Sequence, residues 1–265
     1  MIVRDTGDAW QCVLQTDHAV LAGDFAQAWG NERFEAPEPR RVVVSATARH
    51  DDGWAIWERA PSLLAQNGQV KPRNFLDVQI ISHLAFYRAQ IAAVSDEDDY
   101  AGMLVAMHGR GIYNGRHGTD PGLKLTFAPL VQEAVDAFID EQEARIKQVC
   151  EARGISEQEL WTNYKLLQIY DRLSLYFQMK DVVAGERAVL RPVPTGRDGE
   201  DVELTIEPDG PWRVRMDPFP FAEAPATFTM LRREIPKRDW TDNDDFRRDF
   251  FANPPEPTPI VISPA

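Results

Sequence analysis

The sequence predicts a mostly α protein, with a helical core, a short N-terminal hairpin and a small C-terminal β appendage. Two patterns carry that expectation. Apolar residues recur at helical spacing through most of residues 17–180, and after about residue 182 the runs become short, alternating and broken by Pro, Gly and Asp. The third observation is composition. A chain of 265 residues, 43% hydrophobic and 27% charged, can bury a sizeable core and is not globally disordered. The expected division is a helical domain over 1–181 and a β-rich appendage with a Pro-rich tail over 182–265.

Residues 2–15 read as a hairpin, IVR and WQCVLQ around a DTGD turn. Thr16 or Asp17 then caps a helix running to about Trp29, with Ala19, Leu21, Ala22, Phe25 and Ala26 on its apolar positions. The segment VVVSATARHDDGWAIWERA follows a Pro-bearing loop. Its small residues Ser45, Ala46 and Ala48 favour a helix over a buried strand. Residues 60–75 read as a loop, about 76–95 as a helix, and another helix lies near 98–108 after an acidic DEDD turn. The run GRGIYNGRHGTDPG, 109–122, reads as a glycine-rich loop. Long helices cover roughly 126–153 and 156–180, separated by Gly154, with Ser156 as N-cap and Glu159 three residues on. Four strand-like segments follow, AVLRPVPTG, DVELTIEP, PWRVRMD and ATFTMLRREI. The tail FANPPEPTPIVISPA is expected to lie extended along the surface.

Charge and leader signals narrow the function. With 29 Lys+Arg against 42 Asp+Glu the net charge is −13, which argues against nucleic acid or an anionic membrane as the main partner. No apolar run approaches the roughly 18 residues of a membrane span. The opening MIVRDTGDAW lacks the apolar stretch of a secretion signal. Cys12 and Cys150 form no CxxC pair, so a reducing compartment is expected. The reading is a cytoplasmic protein acting on a small, anionic molecule, its oligomeric state left open.

The five histidines are His18, His50, His83, His108 and His117, and four of them sit toward apolar helix faces. His18 shares a stripe with Leu21, Ala22, Phe25 and Trp29. His83 follows Ile80 and precedes Tyr87 and Ile91 on one face. His108 ends the apolar run MLVAM, and His50 ends VVVSATAR with Asp51 directly after it. On the 156–180 helix, Asp171 falls on the buried stripe of Leu160, Tyr164, Leu167 and Leu175. An isolated ionised carboxylate in a core costs several kcal/mol unless paired or metal-bound. Several imidazoles and two carboxylates aimed inward from different helices can relieve one another by sharing metal ions.

The order His18 … His50-Asp51 … His83 … His108 … Asp171 resembles the metal signature of the HD-domain superfamily, and a glycine follows at Gly53 within HDDG. The resemblance covers roughly residues 17–180. It implies an HD-domain-like helical core and metal-dependent phosphohydrolase chemistry, with a di-iron oxygenase branch. More narrowly, TDHAVLAG and HDDGW are similar to a bacterial family of uncharacterised proteins, which supplies no activity. Carried over residue by residue, His18, His50, Asp51 and Asp171 would hold one metal. His83 and His108 would hold a second, with Asp51 bridging. Two divalent transition metals are therefore expected, with Fe or Mn favoured and Zn, Co or Ni possible for this N/O set. The family's Lys or His after HDxG is replaced here by Trp54, which weakens the case for a phosphorylated substrate.

Around this set, Asp51, Arg49, Arg110 and Arg116 are the candidate catalytic groups. Arg110, Arg116, His117 and Trp54 are the candidate substrate contacts. In the glycine-rich segment, Arg110, Arg116 and His117 could meet an anion from a mobile lid. Arg49 and Arg172 flank the motif residues, able either to orient the carboxylates or to pair at the surface. Asp52 would support an imidazole or face solvent. The leading expectation is a hydrolase attacking a phosphoester with metal-activated water. A di-iron oxygenase on the same ligands and a noncatalytic metal-binding interaction protein stand as alternatives.

Overall fold

The computed structural model describes residues 1–66, 68–114, 125–180, 182 and 185–265, apart from the side chains of residues 158 and 159. The hairpin is present as β1 (Ile2–Asp5) and β2 (Ala9–Val13), antiparallel, with Ile2 opposite Val13. It turns at Gly7, whose φ of 97° suits only glycine and whose N–H donates to Asp5 Oδ1 at 2.8 Å. Helix α1 (Gln15–Ala28) follows from an N-cap at Leu14, with no side-chain capping bond, rather than from Thr16 or Asp17. Helix α2 (Arg40–Ala48) is a helix, as its small residues suggest. A 3₁₀ turn at Asp52–Trp54 leads into the single turn α3 (Ala55–Glu58).

The stretch expected to be loop contains a second hairpin, β3 (Leu63–Gln66) and β4 (Gln69–Pro72). Helices α4 (Ile80–Glu97), α5 (Asp99–Asn114), α6 (Pro129–Arg153) and α7 (Glu157–Met179) then build the helical layer. Helix α5 runs on through Gly109 and Gly111, so the first part of the expected glycine-rich loop is helical. The physical reason is packing: a Cβ on Gly109 would lie 2.8 Å from Tyr87 Cδ1, so α4 and α5 approach through that glycine. Arg116 and His117, and the lid expected of them, lie outside the described residues.

The C-terminal part supplies β5 (Ala188–Pro194), β6 (Asp201–Pro208), β7 (Arg213–Asp217), β8 (Ala226–Pro236), helix α8 (Asn243–Ala252) and β9 (Glu256–Pro264). These strands join the N-terminal hairpin in one seven-stranded sheet, ordered β1-β2-β8-β9-β7-β6-β5. Only β7 and β9 run parallel.

This sheet overturns the expected mostly α, HD-domain-like fold class. Among the described residues nine strands stand beside the helices, and seven of them pair into this one sheet, curled into a half-barrel. The hairpin and the β appendage, legible as separate patches, pair through Cys12–Arg233 and Gln11–Glu234. The tail is corrected too. It forms an inner strand, with Ile260 and Ile262 fully buried. Its prolines are compatible because β7 pairs with residues 261–264, leaving Pro257 and Pro259 beyond its end.

Helix α7 joins the two cores. Leu166, Ile169, Tyr170 and Leu173 pack with Phe25, Trp29 and the inner sheet face around Phe228 and Ile260. Leu160, Tyr164 and Leu167 turn to the other core, with Leu104 of α5 and Phe138 of α6. No helix among the described residues is long and apolar enough to cross a membrane.

Candidate metal centre

Five side chains meet beside α7: His18 of α1, His50 and Asp51 at the end of α2, His108 of α5 and Asp171 of α7. All are buried, none more than 5% exposed. One possible ligand atom from each of His18, His50 and Asp51 falls within 4.8 Å of the others, and the same holds for His50, His108 and Asp171.

Neighbouring groups decide which ring nitrogens face inward. The carbonyl oxygen of Thr47 can only accept, so His50 Nδ1–H donates to it at 2.7 Å. His50 Nε2 is then the nitrogen that faces inward, buried and beyond hydrogen-bond distance of any partner, 3.6 Å from Asp51 Oδ2 and 3.7 Å from Asp171 Oδ1. The Ser174 hydroxyl of α7 donates to the His18 carbonyl of α1 at 3.0 Å and accepts from His18 Nδ1–H at 2.9 Å. His18 Nε2 is thereby aimed at Asp171 Oδ1, 2.9 Å away.

Two imidazole lone pairs facing carboxylates repel unless a proton or a cation stands between them. The electrostatics of these side chains carry the same tension. Burial pulls His50 down, but Asp51 and Asp171 outweigh it and push the ring up to about 9. Burial would raise Asp171, yet its contacts to His18 and His50 hold it well below the usual carboxylate range. The site is built for positive charge.

A further set of groups positions these ligands. Tyr87 of α4 donates its hydroxyl to Asp51 Oδ1 at 3.0 Å. Gln90, one turn on, holds the HDDG turn with both ends of its amide: Nε2 donates to the His50 carbonyl and Oε1 accepts from Gly53 N–H at 2.7 Å. Gly53 is required there, since a Cβ would sit 2.3 Å from the Phe86 carbonyl oxygen. Tyr87, Thr47, Ser174 and Gln90 were not singled out from the sequence. The available signal was spacing, with Tyr87 four residues after His83 and Ser174 three after Asp171 on the same helix faces.

His18, Asp51, His108 and Asp171 line one cavity of about 380 Å³, with His50 closed off behind them. Trp54, Phe75, Val78, Ile80 and Ile112 make much of its wall. His83 lies on this wall but outside both ligand groups. Its Nδ1 hydrogen-bonds the Tyr113 hydroxyl, and its ring packs 4.9 Å from those of Trp54 and Tyr87. Burial lowers its pKa to about 4, so it is neutral at pH 7.

The arginines are elsewhere. Arg49 turns outward to Asp52 at 2.9 Å and Glu97 at 2.7 Å, so Asp52 supports an arginine rather than an imidazole. Arg110 is 3% exposed but bonds Glu157 of α7 at 2.6 Å, away from the cavity. Arg172 is half-buried on α7 and does not line the cavity. Of the expected substrate contacts, Trp54 alone is placed on the cavity among the described residues.

Searches of curated proteins and of solved structures found no match. The profile of the family described as "Protein of unknown function (DUF3891)" matches residues 1–237, and the chain belongs to that family.

Proposed function

We propose that this chain is a metal-dependent hydrolase of a small molecule, with His18, His50, Asp51, His108 and Asp171 holding the metal. The observation that carries the reading is the buried Nε2 of His50, turned by Thr47 toward the carboxylates of Asp51 and Asp171 and within hydrogen-bond distance of neither. Three imidazoles and two carboxylates suit a transition metal better than Mg or Ca. The order of these ligands along the chain resembles the HD-type signature and supports the same reading. One lone pair binds one ion, and both ligand groups use His50, so a single ion is favoured over the two expected from the resemblance.

A divalent ion bound here would supply Lewis acidity, lowering the pKa of water at the site and polarising a substrate oxygen. The protein's own groups do the rest. Thr47 and Ser174 fix the imidazole tautomers, and Tyr87 and Gln90 hold Asp51 and its turn against α4. The apolar wall excludes bulk water, and His83 offers a neutral hydrogen-bonding group beside the substrate.

An oxygenase on the same ligands is the second reading. The specific observation favouring it is that no Lys or Arg lines the cavity among the described residues, so nothing there clamps a phosphate. The test is the metal content of protein purified without chelators, measured for wild type, His50→Ala and Asp51→Asn. About one transition metal per chain, lost in both variants, is expected. No bound transition metal under any loading condition overturns both readings. Manganese or zinc with oxygen-independent turnover of esters favours the hydrolase, and iron with oxygen-dependent turnover favours the oxygenase.

A further inference from the structure

Resting on the reading of the cluster as a metal centre, we propose that the cavity takes a small amphiphile. Its neutral or singly charged oxygen head would meet the His/Asp cluster, and its hydrocarbon body would lie along the apolar wall.

Three features of the cavity point to this class. The first is charge. Asp51 and Asp171 bring −2 and a single divalent ion brings +2, so the loaded centre is neutral and has no net attraction for a phosphate dianion. No Lys or Arg among the described lining residues adds to it. Phosphate sites need such positive or N–H-rich surroundings.

The second is the shape and chemistry of the wall. A volume of about 380 Å³ lies at the small end of the range for small-molecule pockets. Around and beyond the cluster, Val78, Ile80, Ile112 and Leu175 offer hydrocarbon and no hydrogen bonds. Trp54 and Phe75 add broad apolar faces. Polar positions on the wall are few, and His83 with Tyr113 is a paired one, its Nδ1 already committed.

The third is the rim. Leu76 is 69% exposed and Leu125 39% exposed, yet both line the cavity. Large apolar side chains standing in water at a cavity mouth extend the hydrocarbon surface outward. A ligand tail longer than the cavity would continue over them. The polar end of the cavity is buried and the apolar end opens to solvent, an arrangement that orients an amphiphile head-first.

The test uses the full chain loaded with Zn²⁺, titrated calorimetrically with acetohydroxamic, butanohydroxamic and octanohydroxamic acids. These share one metal-binding head and differ only in tail length. Metal content is measured before and after each titration. Affinity is expected to rise about fourfold for each methylene that leaves water, and by at least tenfold from the shortest acid to the longest. The double variant Leu76→Asp, Leu125→Asp should flatten the series; both positions are partly or largely exposed, so the change is compatible with folding. Inorganic phosphate should not compete. If acetohydroxamic acid binds and the longer acids bind no tighter, the amphiphile proposal fails while the metal reading stands. Phosphate binding tighter than octanohydroxamic acid overturns the proposal in favour of a phosphoester. A chain that retains no metal overturns the metal reading, and the proposal with it.

Discussion

His18 Nε2 lies 2.9 Å from Asp171 Oδ1, joining α1 to α7 across 153 residues of sequence. Because Ser174 Oγ accepts from His18 Nδ1–H, the other ring nitrogen, Nε2, is the one set against the carboxylate. The contact is stable with an imidazolium, or with a cation held between the two groups. The two side chains are therefore held together by the fold itself.

Tyr87→Phe removes the 3.0 Å hydrogen bond to Asp51 Oδ1 and leaves the ring packed. Outer groups of this kind support metal affinity by roughly 10- to 100-fold. A loss of about tenfold in metal affinity, with little change in thermal stability of the metal-free chain, is expected by competitive chelator titration. Unchanged affinity would show that Tyr87 only packs.

His83→Ala separates the two roles open to that residue. His83 stands outside both ligand groups, with its Nδ1 on Tyr113. Metal stoichiometry should match wild type in His83→Ala and collapse in His50→Ala. Loss of metal in both, measured by mass spectrometry of the purified proteins, would return His83 to the ligand set.

Gly53→Ala forces a Cβ to within 2.3 Å of the Phe86 carbonyl oxygen and 2.8 Å of Gln90 Oε1. Overpacking of this kind costs roughly 1–3 kcal/mol. Thermal unfolding should fall by several degrees for a chain of this size. Metal retention should fall as well, since His50 and Asp51 lie in the same turn.

Arg110→Ala breaks the 2.6 Å pair with Glu157 between α5 and α7. Glu157 is 38% exposed, so water screens the pair and the expected cost is only about 1 kcal/mol. The unfolding free energy from denaturant titration should fall by that amount, and metal binding should be untouched. A variant that keeps its stability and loses substrate turnover would restore Arg110 to the site.

Acid should weaken the fold through His83. Its ordinary pKa of 6.5 is lowered to about 4 by burial, so the unfolded chain takes up a proton that the folded chain refuses. The contribution from His83 is full above 6.5 and declines as pH falls from there toward 4. Carboxylates titrate at the lower end of this window, so the informative quantity is a difference. Melting temperature plotted against pH should slope less in His83→Asn than in wild type; parallel slopes would refute the assignment.

Much of the helical layer can be read from local pattern. His18 and Asp171 each occupy an apolar helical stripe, and the stripe alone places them inward. The C-terminal strands are legible in the same way, because alternation is a local property. Where His83 ends up is not: one helical turn from Tyr87, it faces Tyr113 rather than the ligand cluster, and which neighbour it meets depends on how α4 lies against α5. Arg110 reads as a loop cation only while Gly109 and Gly111 are taken as breakers. The helix runs through both, and the missing side chain of Gly109 lets α5 pack against Tyr87 of α4, with Arg110 turned to Glu157.

The sequence by itself determined which residue types are buried and at what period, and so most of the helices, the N-terminal hairpin, four of the C-terminal strands and the inward-facing His and Asp set. Tertiary structure alone decided that strands more than 200 residues apart form one sheet, through the β2–β8 pairing of Cys12 with Arg233. It also decided that five of the six expected ligands meet while the sixth lies on an apolar wall. The physical reason is range. Periodicity reports which way a side chain faces on its own element, whereas strand pairing and ligand geometry depend on which other element arrives opposite.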